Sequence, residues 1–273
     1  MPGTVDVLLV FIFGSVIGSF LNVCIHRMPR RESVVWPRSR CPHCQKKIPG
    51  YDNIPFISYL ILGGRCRFCK GKISLRYPLV EFLTAATITL FFRHYGVSYD
   101  FFVYSLFACG LIIATFVDLA HRIIPDEVSI GGMIIGFILI SIKGIGLVPR
   151  HFDPTPMLSS FLGIVVGAGI VYVVRFLFDL FYFRLLKHPP VQGESSSMGD
   201  GDIVFLAMIG AFLGWQKAVF TFFTAPFLAL AFGLAYFILK KDRLIPYGPF
   251  LALAALIALF WSDKIITFLI PGL

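Results

Sequence analysis

Four cysteines in the first third of the chain have the spacing of a metal site. Cys41 and Cys44 form one C-x-x-C pair, and Cys66 and Cys69 form a second pair after a gap of 21 residues. Four thiolates in two such pairs can surround a tetrahedral zinc ion with Zn–S bonds of about 2.3 Å. Because four cysteines leave no ligand position for water, the pattern predicts a structural Zn²⁺ site and not a catalytic one.

Two disulfides or two redox-active pairs are the alternative interpretation of these cysteines. A cytoplasmic loop is kept reduced, which argues against structural disulfides. A thioredoxin-like redox site requires a β-α-β pattern around the C-x-x-C, and the sequence shows none. His43 lies inside the first pair and is a spacer in this interpretation, while Cys24 and Cys109 lie at or inside apolar runs, where we expect them to pack.

Acids at the edges of apolar runs form the second candidate group. Asp118 directly follows one apolar run, and Asp202 begins another. An acid at this depth of a membrane is costly unless it faces protein or water, so both are functional candidates. Two carboxylates that share a site do not both ionise cheaply, and such a pair can activate a water while protonating a leaving amine. The sequence therefore predicts an aspartate dyad that hydrolyses an amide bond.

Other interpretations of the same stretch stay open at this point. The alternative interpretation of Asp202 is the N-cap of a helix, a role that contributes about 1 kcal/mol. Gly199 and Gly201 would let a substrate backbone approach closely. The spacing does not show whether Asp200 or Asp202 is the acid that forms the pair with Asp118. Glu81 opens the second apolar run, where it suits either the helix dipole or a polar role at the membrane surface.

Two more acids have local explanations. Asp126 follows a proline and suits a helix N-cap. Asp179 lies four residues after Arg175, and the default expectation for this spacing is an ion pair. His121 and Arg122, next to Asp118, could tune that acid or contact lipid phosphates.

The elements that must position these groups are apolar helices. The chain is 57% apolar and 14% charged, with a mean hydropathy of +0.83, which is typical of a membrane protein. Apolar runs of roughly the length needed to cross the hydrocarbon layer, two of them short, lie at 7–23, 79–92, 101–117, 128–147, 157–174, 203–214, 218–239 and 249–262. In the first run, small residues at Gly14, Ser15, Gly18 and Ser19 predict close approach of another helix.

The sequence thus predicts an all-α polytopic membrane protein with about eight transmembrane helices. Residues 1–23 form the first span, residues 24–78 form a small zinc-binding cytoplasmic domain, and residues 79–273 form the membrane-embedded part. Alternating the eight spans places 19 of the 24 Lys and Arg residues on one side of the membrane. This bias predicts a periplasmic N-terminus, and it assigns the net charge of +9 to topology and anionic lipids instead of nucleic acid.

Taken together, these motifs resemble the type IV prepilin peptidases, bifunctional enzymes of the bacterial inner membrane. The matching stretches are GSFLNVCIHRMPR (18–30), the paired C-x-x-C, RYPLVEFLT (76–84), DLAHRIIPD (118–126), MGDGDIVFLAMIGAFLGWQ (198–216) and IPYGPFLALAALIAL (245–259). They span nearly the whole chain in the order of the family.

The resemblance implies Asp118 and Asp202 as the catalytic aspartates, with Asp202 closing the G-x-G-D motif and Asp200 at its variable position. It implies removal of a short basic leader from prepilins or pseudopilins at the cytoplasmic face, just after a glycine. Methylation of the new N-terminus with S-adenosylmethionine follows in many members, and Glu81 is a candidate for that step by analogy only. An acid at 200 and a long segment at 184–198 depart from the family pattern.

Three rival functions fit part of the sequence. A presenilin-like intramembrane protease also uses a G-x-G-D acid but does not need the cysteine loop. A proton-coupled transporter could use the same buried acids, although both fall at one membrane boundary and the halves show no repeat. A zinc-ribbon membrane scaffold would not depend on either Asp118 or Asp202.

Overall fold

The computed structural model describes residues 3–145, 154–185, 199–240 and 246–269. Within these ranges the regular elements are helices, apart from two isolated β-bridges. The α-helices are α1 (Thr4–Arg27), α2 (Ile57–Ile61), α3 (Arg76–Tyr95), α4 (Tyr99–His121), α5 (Asp126–Ile145), α6 (Thr155–Asp179), α7 (Asp200–Leu213), α8 (Trp215–Lys240) and α9 (Gly248–Leu269). The predicted all-α class is confirmed, and each of the eight apolar runs corresponds to one helix.

Not every helix that matches an apolar run is long enough to cross a membrane. Within the described residues, five segments have the length and hydropathy to do so: Thr4–Arg30, Tyr99–His121, Asp126–Gly144, Thr155–Tyr182 and Trp215–Phe232. Helix α7 has only 14 residues, a rise of about 21 Å against a hydrocarbon layer of about 30 Å. The count of eight spans therefore stays a prediction.

The chain divides into two compact units, Met1–Val117 and Asp118–Leu273, and the boundary falls within α4. The predicted division at residues 23 and 78 follows membrane topology instead, and it stays a prediction. The first unit contains the cysteine loop, and the second unit contains both candidate aspartates.

In the first unit, α1 packs against α3 through small residues. A Cβ added to Gly14 would lie 2.8 Å from Cα of Ala85, and one added to Gly18 would lie 2.7 Å from Cα of Glu81. Two helix backbones approach this closely only where a side chain is missing. The prediction made from the small residues of the first apolar run is confirmed, and α3 is the partner helix.

In the second unit, α7 is the central helix. All eight residues from Phe205 to Phe212 are buried, because α5, α6 and α8 pack around this helix. Gly163 of α6 and Gly210 of α7 are in direct backbone contact, and the Ser160 hydroxyl donates a hydrogen bond of 2.7 Å to the carbonyl of Ala211. A helix that is apolar on every face is expected at such a position. This packing holds α7 in the second unit, and the first turn of this helix carries Asp202.

Candidate functional site

The four cysteines converge in the first unit. Their sulfur atoms all lie within 4.8 Å of one another, and Sγ of Cys41 lies 3.8 Å from Sγ of Cys69. Ligands on a tetrahedron with Zn–S bonds of 2.3 Å lie about 3.8 Å apart. All six cysteines of the chain are free thiols. The spacing thus fits one metal ion and not two disulfides.

The two C-x-x-C pairs have the same backbone geometry. Amide N–H groups of Cys41 and Cys66 donate to the carbonyls of Lys46 and Gly71, at 3.0 and 2.8 Å. The residue that follows each pair, Gln45 and Lys70, has a positive φ of 56° and 57°. Such a left-handed residue turns the chain back sharply, so each pair presents both sulfurs to one point. This repeated geometry is a typical metal-binding knuckle.

The charge on the sulfurs also favours a cation. Amide groups of Cys69 and Phe68 donate to Sγ of Cys66 and lower the pKa of this thiol to about 6. At Cys69, the Gly71 amide lowers the pKa, but desolvation and the neighbouring thiols outweigh it and raise the pKa to about 11. Once the first thiol has ionised, its negative charge makes ionisation of the neighbouring thiols costly. A bound cation would offset the repulsion between the thiolates.

Asp118 lies in the last turn of α4 and its side chain is 7% exposed. Oδ2 accepts a hydrogen bond of 2.8 Å from the amide of Gly248, the first residue of α9. No room remains at this contact, because a Cβ on Gly248 would lie 2.8 Å from the same oxygen. The free amides at a helix N-terminus favour an anion. Glycine at 248 thus lets the start of α9 hold Asp118 in place.

Asp202 is the third residue of α7, and Gly199 is the N-cap of this helix. The interpretation of Asp202 as an N-cap is therefore wrong by position, although its carboxylate also accepts the amide of Gly199. Asp118 is close enough for its charge to act on Asp202. The structure thus brings together the two aspartates that lie 84 residues apart in sequence.

Asp200 has surroundings different from those of Asp202. Its side chain is 89% exposed and pairs with Arg175 of α6. Arg175 also lies 3.7 Å from Asp179, which confirms the ion pair predicted for this spacing. Asp126 is the exposed first residue of α5, where an acid suits the helix dipole. Asp200 therefore lies at the surface beside Arg175, whereas Asp202 is half-buried.

Among the described residues, no contact requires glycine at either position of the G-x-G-D motif. In that part of the chain, a Cβ on Gly199 would meet no atom closer than 3.7 Å, and a Cβ on Gly201 would lie 3.4 Å from Ile124. These are ordinary contact distances, and neither residue has a positive φ. A role in substrate approach stays a prediction for both. The segment at 184–198 lies outside the described residues from 186 onward.

Glu81 lies in the first unit, away from the helix start that was expected. Helix α3 begins at Arg76, so Glu81 is in the second turn, and the helix-dipole interpretation is wrong. Its side chain is 8% exposed and Oε2 accepts a hydrogen bond of 3.1 Å from the amide of Phe56. Glu81 thus ties the cysteine loop to α3.

Sequence reasoning missed several polar groups that the structure brings to these sites. Gly248 lies 130 residues from Asp118, and no local pattern connects them. Oδ1 of Asn22, Nε of Arg76 and Oη of Tyr247 are buried without a hydrogen-bond partner among the described residues. Each of these three is a polar residue at the edge of an apolar run, and this position is the feature by which sequence reasoning could have found it.

Comparison with known proteins identifies the family of this chain. The model of the bacterial peptidase A24 N-terminal domain matches residues 12–95, and the model of the type IV leader peptidase family matches residues 105–234. The chain belongs to the type IV leader peptidase family. The first match covers the four cysteines, and the second match covers both aspartates.

Curated relatives cover nearly the whole chain. The prepilin leader peptidase/N-methyltransferase of Stutzerimonas stutzeri is 33% identical over 95% of this chain and 92% of its own length. The proteins of that name from Pseudomonas aeruginosa and Aeromonas salmonicida are 33% and 34% identical, over 95% and 94% of this chain and 91% of each relative. No solved structure matches the chain significantly.

Proposed function

We propose that this protein removes the leader peptide of type IV prepilins or pseudopilins and then methylates the new N-terminus. The observation that carries the proposal is the meeting of Asp118 and Asp202 in one site, in a chain of this family. A presenilin-like protease would leave the four-cysteine cluster without a purpose. A transporter or a scaffold is not supported by the relatives, which are named as peptidases.

In the proposed cleavage, the two aspartates divide the roles of base and acid. The ionised carboxylate takes a proton from water, and the oxygen of that water forms a bond to the scissile glycine carbonyl. The protonated carboxylate gives its proton to the leaving amine as the C–N bond breaks. Each carboxylate accepts one backbone amide, from Gly248 at Asp118 and from Gly199 at Asp202. The positive charge of Arg122 acts on Asp118 in addition, so we assign Asp118 as the base and Asp202 as the acid in the first step.

In the proposed methyl transfer, the freed amine is the nucleophile and S-adenosylmethionine is the donor. The nitrogen lone pair forms a bond to the methyl carbon, the C–S electron pair stays on sulfur, and the ammonium proton goes to solvent. Hydrolysis by the two aspartates provides neither the methyl group nor a site for its donor. The second activity therefore requires a separate donor site.

The cysteine cluster has a structural role in this proposal. Cys41, Cys44, Cys66 and Cys69 would hold Zn²⁺, which fixes the fold of a loop that has few apolar residues of its own. A closed set of four sulfurs leaves no coordination position for substrate. The basic loop around it would contact anionic lipid head groups.

The family and the apolar helices make this a multi-pass protein of the bacterial inner membrane. We further propose that the N-terminus is periplasmic and that the dyad opens to the cytoplasmic face. The bias of Lys and Arg along the sequence supports this orientation. The orientation can be tested in intact cells with a single cysteine introduced near residue 3, in a variant free of other reactive thiols. A membrane-impermeant thiol reagent should react with this cysteine if the N-terminus is periplasmic.

The function is tested by incubating membranes that contain this chain with a prepilin, with and without S-adenosylmethionine. The mass of the product N-terminus reports both activities. Cleavage at the glycine, with the added mass of one methyl group only when the donor is present, supports the proposal. Cleavage without that gain would leave a peptidase alone, and an intact prepilin would contradict the function.

A further inference from the structure

The first unit contains a cavity of about 420 Å³, enclosed by α1, α3 and the cysteine loop. Its volume lies in the range of about 300–1,000 Å³ that is typical of small-molecule sites. Lining residues include Asn22, Tyr59, Arg76 and Glu81. Neither dyad aspartate belongs to this unit, so the cavity has no role in the proposed hydrolysis of the leader peptide.

Two polar atoms in the wall of this cavity are buried without a partner. Oδ1 of Asn22 and Nε of Arg76 have no hydrogen-bond partner among the described residues. The Asn22 side chain is 2% exposed, and its Nδ2 is fixed by the carbonyls of Gly18 and Tyr77 at 3.3 and 3.0 Å. Buried polar groups of this kind are rare and costly in native structures. Their presence in a cavity wall points to a ligand.

Several other charged groups of the cavity already have protein partners. Arg27 donates to the carbonyls of Ser33 and Pro37. Arg67 pairs with Asp52 at 2.6 Å, and Glu81 accepts the amide of Phe56. The cavity thus presents one buried guanidinium N–H donor and one buried amide acceptor that remain to be satisfied.

We propose that this cavity binds the amino-acid end of S-adenosylmethionine. Arg76 pairs with the carboxylate of the donor, and Oδ1 of Asn22 accepts a hydrogen bond from its ammonium group. Inorganic phosphate would satisfy Arg76 alone, whereas an α-amino acid carries the anion and the N–H donor side by side. Tyr59 offers an aromatic surface in the same cavity. This inference rests on the methyl transfer proposed above.

The test measures binding of S-adenosylmethionine and of S-adenosylhomocysteine to the purified full-length protein in detergent. Arg76→Gln should weaken binding of both at least tenfold, and Arg76→Lys should weaken it less, because the charge remains but the fork geometry is lost. Arg93→Gln, an exposed arginine at the other end of α3, is the matched control and should bind as the wild type does. Inorganic phosphate at the same concentration should not compete.

Methyl transfer to the cleaved prepilin is measured in the same preparations, as the number of methyl groups added per leader peptide removed. The KM for the donor should rise with the dissociation constant in Arg76→Gln. If the wild-type protein methylates and Arg76→Gln binds the donor as tightly as the wild type does, the proposed site is wrong but the proposed function stands. Wild-type protein that neither binds the donor nor methylates would overturn both, and efficient competition by phosphate would overturn the choice of ligand.

A different observation supports a second inference, in the other unit. Oη of Tyr247 is buried and has no hydrogen-bond partner among the described residues. Tyr247 directly precedes Gly248, whose amide holds Asp118, and its own carbonyl accepts the amides of Phe250 and Leu251 at the start of α9. Burial and, next, the charge of Asp202 raise the pKa of Tyr247, so the hydroxyl stays a proton donor close to the dyad.

We infer that Tyr247 is a further catalytic residue, whose hydroxyl donates a hydrogen bond to the scissile carbonyl oxygen. Attack of water places a negative charge on this oxygen, and the two carboxylates offer no donor for it beyond the single proton they share. A preorganised hydroxyl in a site sheltered from water stabilises that charge. The backbone of α9 fixes Tyr247, so the donor does not have to be ordered during the reaction.

Tyr247→Phe tests this inference, because it removes only Oη. The kcat for leader cleavage should fall on the order of 10²-fold, the usual cost of one such donor, while KM for the prepilin stays near the wild-type value. Tyr172→Phe, at an exposed position of α6, is the matched control. A wild-type kcat in Tyr247→Phe, or a loss found entirely in KM, would contradict the catalytic role.

Discussion

The contact between Gly248 and Asp118 gives the most specific prediction of the structure. In Gly248→Ala, the new Cβ would lie 2.8 Å from Oδ2, 3.3 Å from Cγ and 3.4 Å from Cβ of Asp118. The first of these distances is too short for a real Cβ, so the carboxylate must rotate or shift. It then loses the 2.8 Å hydrogen bond from the Gly248 amide. The substitution should damage the dyad while leaving the packing of the helices in place.

The size of the effect follows from the lost interaction. A hydrogen bond to a charged group contributes about 1.5–3 kcal/mol, and each 1.4 kcal/mol in the barrier is about tenfold in rate. We therefore expect Gly248→Ala to lower kcat about tenfold to a hundredfold. The free energy of unfolding should fall by no more than this hydrogen bond contributes, because the displaced group is the end of a side chain and residue 248 has no positive φ.

The assay is single-turnover cleavage of a purified prepilin by the detergent-solubilised variant, with thermal unfolding followed in parallel. Gly169→Ala in α6 is the matched control, since its Cβ would meet no atom within 4 Å and alanine favours a helix by about 0.5–1 kcal/mol. It should cleave at the wild-type rate. Wild-type cleavage by Gly248→Ala as well would refute the claim that this contact positions Asp118.

Two further predictions concern stability. Gly210→Ala forces a methyl group into the backbone of Gly163, so the second unit should lose about 1–3 kcal/mol or more of its free energy of unfolding; an unchanged unfolding temperature would contradict the close contact of α6 and α7. Cys66→Ser should lower bound zinc, measured by atomic absorption, and make residues 28–75 sensitive to protease. Arg65→Gln in the same knuckle is its control, and equal zinc in both variants would contradict the four-sulfur site.

The sequence was sufficient for the groups whose chemistry depends on residue type and local spacing. The two C-x-x-C pairs predict their convergence because few arrangements other than a metal site use four cysteines in this way. Asp118 and Asp202 were identified because a carboxylate at the end of an apolar run is costly without a function. The eight helices follow from the length of the apolar runs.

Other features depend on contacts that no local pattern encodes. The partner of Asp118 is a backbone amide 130 residues away, and an amide has no signature in the sequence. The role of Asp200 was open because charge and spacing are the same as for Asp202; only the position of Arg175 on a neighbouring helix separates them. Asn22 and Arg76 share a cavity because α1 and α3 pack through glycine, which brings their ends together.

The most direct test of the proposed function is leader cleavage by purified Asp118→Asn and Asp202→Asn. Both substitutions preserve the size of the side chain and remove its ability to act as an acid or a base. Asp100→Asn, at the opposite end of α4 from Asp118, controls for the loss of an acid from the same helix. We predict that each dyad variant unfolds at the wild-type temperature and leaves the prepilin uncut, whereas Asp100→Asn cleaves it. Full cleavage by either dyad variant would contradict the account.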